Sequence, residues 1–302
     1  MPAGSVPGEL EALGALLAGR RFVALTGAGC STESGIPDYR GAGRDGPRNP
    51  IQHDAFVRQA QVRRRYWARA TLGWERFKTA RPNPGHRALA ALETAGPLTG
   101  VITQNVDRLH HDAGSRRVVE LHGALAEVRC LSCGAFEPRA ELQGRLLEAN
   151  PGWLARAQGE LGAGARAGDP TGGTSPGVRP DGVAELTAET GAAFEVVGCR
   201  TCGGPLKPEV VFFGGTVPEA TVAAGWRMLE AAEALLVVGS SLAVYSGFRF
   251  VRRAHELGLP IGIVNLGPTR GDELAAARVA APVGTALPWL ASTLGAPVAA
   301  AS

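Results

Sequence analysis

Phe22-Val-Ala-Leu-Thr26, followed without a break by Gly27-Ala-Gly-Cys-Ser-Thr-Glu-Ser-Gly-Ile-Pro-Asp-Tyr-Arg40, is the stretch on which the fold turns. The run from Phe22 to Thr26 reads as a buried strand. Gly27 and Gly29 then let the backbone approach a pyrophosphate closely, while Ser31 and the start of the next helix supply donors to phosphates. The loop lacks the third glycine spacing of the usual dinucleotide fingerprint. A bare Gly-x-Gly is also what a tight turn needs, and the attached Ser-Gly-Ile-Pro-Asp-Tyr-Arg40 separates this stretch from one.

Outward from that strand, further apolar, β-branched runs stand at 101–103, 234–238 and 261–264. Their continuous character is that of strands covered on both faces. Residues 9–18 form an amphipathic helix ended by Gly19, and helical segments at 86–94, 218–233 and 246–257 lie between the strands. Strands alternating with helices predict an α/β fold, a Rossmann-like, doubly wound parallel sheet. Two polar clusters, Thr103-Gln-Asn-Val-Asp107 and Gly239-Ser-Ser241, sit where strands end, so both should converge on the glycine loop. Gln104, Asn105 and Asp107 suit ribose hydroxyls and a carboxamide, although Asn105 or Asp107 would equally cap a helix.

The chain of 302 residues is long enough for this domain and a smaller module. Its formal charge of +3 is too slight and too evenly spread to argue for nucleic acid. Only Lys78 and Lys207 are lysines; with the Ala and Gly load, that bias suggests a GC-rich bacterial genome. No apolar run approaches the roughly eighteen residues of a membrane helix, and no export signal is evident, so cytoplasm is the default expectation.

Four of five cysteines form two Cys-x-x-Cys pairs, Cys130/Cys133 and Cys199/Cys202. In such a chain this reads as a metal site before disulfides, with a redox dithiol as the alternative. The pairs mark a zinc-binding module at 126–204, inserted into a sheet domain made of 1–125 and 205–302, within which a stretch near 42–82 forms a helical part of the small subdomain. Between Cys133 and Cys199 lie 65 residues, far more than a compact four-cysteine site needs. Residues 137–157 read as helical, and the Gly/Pro/Ala/Thr-rich 159–182 as a mobile loop. Among the histidines, His122 in Glu120-Leu-His-Gly123 is the candidate general base. His53, His86 and His255 read as structural or surface residues, and His110 and His111 as packing or capping.

The motifs GAGCSTESGIPDYR, TQNVDRLHHDAG, ELHG, LKPEVVFFGG, GSSL and IVNLG, with the two cysteine pairs, resemble the sirtuins, NAD-dependent protein-lysine deacylases. The likeness covers roughly residues 10–292 apart from 159–182. The runs PIQHDAFVR, RYWARATLGWERF, AGSRRVVELHG and VYSGFRF resemble class II sirtuins, the branch that includes the mitochondrial sirtuin with lipoamidase and ADP-ribosyltransferase activities.

That resemblance implies an NAD pocket of Gly27, Ala28, Gly29, Ser31, Pro37, Asp38, Tyr39 and Arg40, with Gln104, Asn105, Val106 and Asp107 around the nicotinamide ribose. It further implies cofactor contacts at Gly239, Ser240 and Ser241, the adenosine ribose at Asn265, Leu266 and Gly267, and adenine near Val283. His122 becomes the proton acceptor, aided by Asn105 and Asp107. Nicotinamide leaves as an acyl-lysine oxygen attacks the ribose, and the acyl group departs on ADP-ribose. Val211, Phe212, Phe213 and Gly214, with 242–245, would hold a substrate peptide as an added strand. The four cysteines become ligands of one structural Zn²⁺ in a closed shell. Cys30 stands where the family usually has Ile, Val or Ala, and reads as small loop packing.

Tyr66 and Arg69 are three apart, share a helix face, and could read a carboxylate at the end of an acyl chain; a solvated helix face is the competing explanation. Two other functions stay open at this point: protein ADP-ribosyltransfer from the same pocket, and a non-catalytic NAD-sensing or zinc-ribbon interaction protein.

Overall fold

The computed structural model describes residues 6–38, 50–165, 186 and 188–296. Tyr39, Arg40 and most of the expected 159–182 loop lie outside them. The chain divides into two compact units, one of residues 1–44, 80–122 and 217–302, the other of 45–79 and 123–216. Nine strands are described: β1 (Phe22–Thr26), β2 (Leu98–Thr103), β3 (Val118–Glu120), β4 (Gly123–Cys130), β5 (Phe136–Pro138), β6 (Leu206–Val210), β7 (Ala234–Val238), β8 (Ile261–Val264) and β9 (Ala277–Val279).

The first unit is built on a six-stranded sheet of order β3-β2-β1-β7-β8-β9, every pairing parallel. From β1 the chain runs outward through β2 and β3 on one side, and through β7, β8 and β9 on the other. The topological switch therefore falls between β1 and β7, where such sheets open a crevice for ligands. All residues of β1, β7 and β8 are buried, because each face has its own core. Phe22 and Ala24 join Leu13, Leu17, Leu89, Leu236 and Leu290 on one face. Val23 and Leu25 join Ile102, Leu229, Leu235, Phe250 and Ile263 on the other. The two-residue period of a strand thus divides one apolar run between two cores.

The second unit carries an antiparallel sheet of order β5-β4-β6 beside the helix Ala60–Thr79. Trp67 and Tyr66 of that helix are each 1% exposed. Trp67 Nε1 donates to the Leu206 carbonyl at 3.1 Å. Arg139, 2% exposed, lies over the rings of Trp67 and Trp74 at 5.4 and 4.6 Å. The helical reading of 137–157 resolves into two helices, Arg139–Ala149 and Trp153–Ala165, parted at Asn150-Pro-Gly152. Gly152 takes φ +70 there. The second helix also runs seven residues into the stretch expected to be a loop, since Ala-rich sequence tolerates helix despite its glycines. Among the described residues no helix is long and apolar enough to cross a membrane.

Candidate active site

Parallel register brings four strand ends into line: Thr26 pairs with Thr103 and with Val238, and Val238 with Val264. The loops that leave them at 27, 104, 239 and 265 consequently emerge side by side on the first unit. These are the loops that carry most of the residues expected around a dinucleotide.

The glycines of the first loop are required by the protein's own backbone. A Cβ on Gly27 would lie 2.8 Å from Ser240 Cβ, and one on Gly29 would lie 2.9 Å from the Gly239 carbonyl oxygen. Gly29 N–H donates to that same carbonyl at 2.8 Å. Gly239 is the tightest point: at φ +58, its Cβ would sit 2.2 Å from Cys30 N and 2.5 Å from Gly29 C. Left-handed strain and a backbone clash therefore coincide. Gly239→Ala is expected to cost about 2–5 kcal/mol of stability, read by urea unfolding. A loss below about 1 kcal/mol would show that the two loops are not locked together as described.

Ser31, fully buried, organises the polar cluster. Its hydroxyl donates to Asp107 Oδ2 at 2.7 Å and accepts from Asn105 Nδ2 at 3.0 Å. Asp107 Oδ1 accepts from Leu109 N at 2.9 Å, at the start of the short helix Leu109–Asp112, whose N-cap residue is Arg108. Burial raises the Asp107 pKa, opposed by the hydrogen bonds from Ser31 and Leu109. Gln104 Nε2 donates to Ser240 Oγ at 2.9 Å, joining the loops after β2 and β7. Asn265 Nδ2 donates to the Gly267 carbonyl at 2.7 Å. Leu266 is 67% exposed, and Val283 is buried against Gly85. Ala28, Pro37, Asp38, Val106 and Ser241 are half-buried.

His122 ends the first unit's middle segment. Its Nδ1 lies 2.8 Å from the Gln104 carbonyl, which can only accept, so the ring hydrogen is on Nδ1. Nε2 is then a bare lone pair, and it accepts from Ser246 Oγ at 2.7 Å. Burial holds the imidazole pKa below its ordinary 6.5, with Arg249 adding to the effect and the Gln104 carbonyl opposing it. The result is a neutral imidazole of fixed tautomer, a competent proton acceptor at neutral pH. Sequence reasoning missed Ser246. It lies 124 residues from His122, in the first turn of the helix Tyr245–Glu256, where a serine reads as ordinary helix-start chemistry.

In the second unit, the cysteines of the two pairs come together. All four sulfurs lie within 4.8 Å of one another, with Cys130–Cys202 at 3.5 Å and Cys133–Cys199 at 3.7 Å. A disulfide needs about 2.05 Å, whereas four thiolates at a Zn–S distance of about 2.3 Å stand about 3.8 Å apart. Both pairs form the same turn. Ser132 N–H donates to Cys130 Sγ and Thr201 N–H to Cys199 Sγ, each at 3.4 Å, and Gly134 and Gly203 close the turns at φ +75 and +71. The four cysteines are positioned to bind a structural zinc.

Also in the second unit, Tyr66 packs edge-on against Phe56 and Phe212, each with ring centroids 5.3 Å away. Arg69 is half-buried on the same helix. Phe212 is buried and Phe213 is 40% exposed; the Phe213 carbonyl accepts from His53 N, and Gly214 takes φ +76. Val211 is half-buried.

Comparison with known proteins agrees with this architecture. The Sir2 family model matches residues 27–246. NAD-dependent protein deacetylase 1 of Streptomyces coelicolor is 52% identical, over 93% of this chain and 88% of the relative. The human NAD-dependent protein lipoamidase sirtuin-4, mitochondrial, is 47% identical over 90% of this chain and 82% of its own. Among solved structures, Sir2Tm bound to a propionylated peptide superposes with a TM-score of 0.71 at 28% identity, covering 95% of this chain and 98% of that one. A Sir2 complex with a p53 peptide and NAD+ gives 0.67 at 28%, over 93% and 96%. The chain belongs to the Sir2 family, the sirtuins.

Proposed function

We propose that this chain is an NAD-dependent protein-lysine deacylase in which His122 is the proton acceptor. The observation that carries the reading is the fixed tautomer of His122, with Nε2 available as a lone pair on the unit that also gathers the Ser31–Asn105–Asp107 cluster. NAD, when bound, supplies an electrophilic ribose carbon and a nicotinamide leaving group. Gln104, Asn105 and Asp107 would hold the ribose through amide and carboxylate hydrogen bonds, and Ser31 keeps the last two in register. Gly27, Ala28, Gly29 and Ser31 would face the phosphates, with Pro37 and Asp38 continuing that wall. Gly239, Ser240 and Ser241 would add further cofactor contacts, with Asn265 and Gly267 at the adenosine ribose and Val283 near the adenine. With NAD bound, His122 Nε2, which here accepts from Ser246 Oγ, would be the proton acceptor for a ribose hydroxyl, and ADP-ribose would be the acceptor of the acyl group. Incubation with NAD and an acyl-lysine peptide is expected to release one nicotinamide per acyl group removed. Nicotinamide release without loss of the acyl group would sink the deacylase reading in favour of another NAD-consuming reaction.

Residues of the second unit would take part in substrate recognition together with 242–245 of the first. Val211 to Gly214 would pair with the peptide backbone. Support for the acyl end comes from the contact of Tyr66 with Phe212, which places the Tyr66–Arg69 turn next to that segment. We propose that Arg69 reads a terminal carboxylate. Across a panel of acetyl, succinyl, glutaryl and lipoyl peptides, Arg69→Met is expected to lower kcat/KM for succinyl and glutaryl by about tenfold or more, the worth of a charge-assisted pair, and to spare acetyl. Equal succinyl rates in both proteins would remove Arg69 from this role.

A further inference from the structure

Behind the glycine loop, three side chains that this mechanism does not use converge inside the first unit. Cys30 Sγ lies 3.9 Å from His86 Nε2, and ligand atoms of Cys30, His86 and His110 all lie within 4.8 Å of one another. Each residue is at most 2% exposed. The hydrogen positions follow from the partners. Thr26 Oγ1 donates to Thr103 Oγ1 at 2.8 Å, so it accepts from His110 Nε2 at 2.9 Å. His110 thus carries its hydrogen on Nε2, and its Nδ1 is a buried lone pair with no hydrogen-bond partner. Asn83 N–H points at His86 Nδ1 at 3.4 Å, so His86 holds its hydrogen on Nε2, facing Ser31 Oγ at 3.4 Å and the Cys30 sulfur. Besides burial, the carboxylates of Asp107 and Glu33 raise the thiol pKa of Cys30.

We propose that Cys30, His86 and His110 form a second zinc site, distinct from the four-cysteine site, whose occupation inhibits the enzyme. One sulfur and two imidazoles are ligands that Zn²⁺ prefers. Zn–S and Zn–N bonds of about 2.3 and 2.0 Å place tetrahedral S and N about 3.5 Å apart, so side-chain rotations of an ångström or so complete the site. Binding releases the Cys30 proton to solvent and moves the His86 hydrogen from Nε2 to Nδ1; nothing is oxidised or reduced. His86 then stops donating to Ser31, and its Nδ1–H opposes Asn83 N–H instead of accepting from it. Because Ser31 holds Asn105 and Asp107, the strain reaches the cluster proposed for the ribose. That inhibitory coupling, unlike the metal site itself, rests on the NAD-pocket reading.

The test uses the full chain with its four-cysteine site already loaded. Equilibrium dialysis against micromolar Zn²⁺ and elemental analysis are expected to return two zinc ions per wild-type chain, and one per chain in Cys30→Ala and in the near-isosteric Cys30→Ser. The second variant keeps the test decisive if alanine destabilises the loop. Inhibition of nicotinamide release by added Zn²⁺ should be at least about tenfold weaker in the variants. Equal stoichiometry in variant and wild type overturns the site, whatever the activity does. Two ions in the wild type and one in each variant, with identical inhibition in all three proteins, overturns the coupling alone. Absence of deacylation in every protein would instead count against the proposed function and leave the zinc counts readable.

Discussion

His122→Ala is expected to lower kcat for acyl-peptide turnover by about 10²–10⁴-fold, the range over which a positioned general base acts, while the melting temperature stays near that of the wild type. The asymmetry follows from what the imidazole touches. It is held by one main-chain carbonyl and one serine, and neither belongs to the two apolar cores that stabilise the sheet. The pH dependence has a definite sign. A proton acceptor must be neutral, so activity falls as pH drops through the pKa of the folded protein, which burial holds below 6.5. The acidic limb of kcat/KM should therefore have its midpoint below 6.5. Ser246 donates to the neutral form's lone pair, so Ser246→Ala should move that limb toward higher pH, a shift that a purely structural serine would not cause. Near-normal turnover in His122→Ala would remove the residue from catalysis.

How far the fold could be read depended on whether local sequence carried the burial pattern. Phe22–Thr26, Ala234–Val238 and Ile261–Val264 are covered on both faces, and continuous apolar runs of that length announce themselves. Val118–Glu120 and Ala277–Val279 are three-residue edge strands with half-buried positions, too short for any period to show. The antiparallel β5-β4-β6 sheet was equally hidden, because β4 mixes buried and half-exposed residues without strict alternation. Asn150-Pro-Gly152 did hold a readable stop signal. Asn150 exploits the break, its amide donating to the Leu146 and Glu195 carbonyls while its oxygen accepts from Glu195 N.

The site divides in the same way. Motif stretches located the glycine loop, the Gln104–Asp107 cluster and the cysteine pairs, because each lies contiguous in the chain. What they did not reveal is convergence across distance. Gly27 and Gly29 read as room for phosphate, yet Gly239 and Ser240 already press on that room from the neighbouring strand end. Ser246 at His122 and Cys30 beside His86 and His110 are pairings made only by the folded sheet.

Loss of the structural metal should have the largest effect on stability. Cys130→Ser is expected to yield a chain without zinc at the four-cysteine site, in which the β5-β4-β6 sheet loses hydrogen-exchange protection. Cys130 is the last residue of β4, and Cys202 stands four residues before β6 begins. The metal would thus clamp together the two strands that make the longest pairing of the second unit. Apparent binding free energies of structural zinc in small domains, about 10–16 kcal/mol at neutral pH, match or exceed the whole stability of a typical domain, about 5–15 kcal/mol. A module with so thin a sheet has little else to replace the clamp. The parallel sheet of the first unit, with a core on each face, should keep its protection in the same experiment. Deacylation should be lost together with protection across 123–138 and 199–210. A shell of four thiolates leaves no coordination position for substrate or water, so activity must fail through structure. A Cys130→Ser chain empty at the four-cysteine site that retained wild-type protection would show that the strands hold without the metal. One that kept protection but lost turnover would place the metal in the chemistry, against the closed geometry of its four sulfurs.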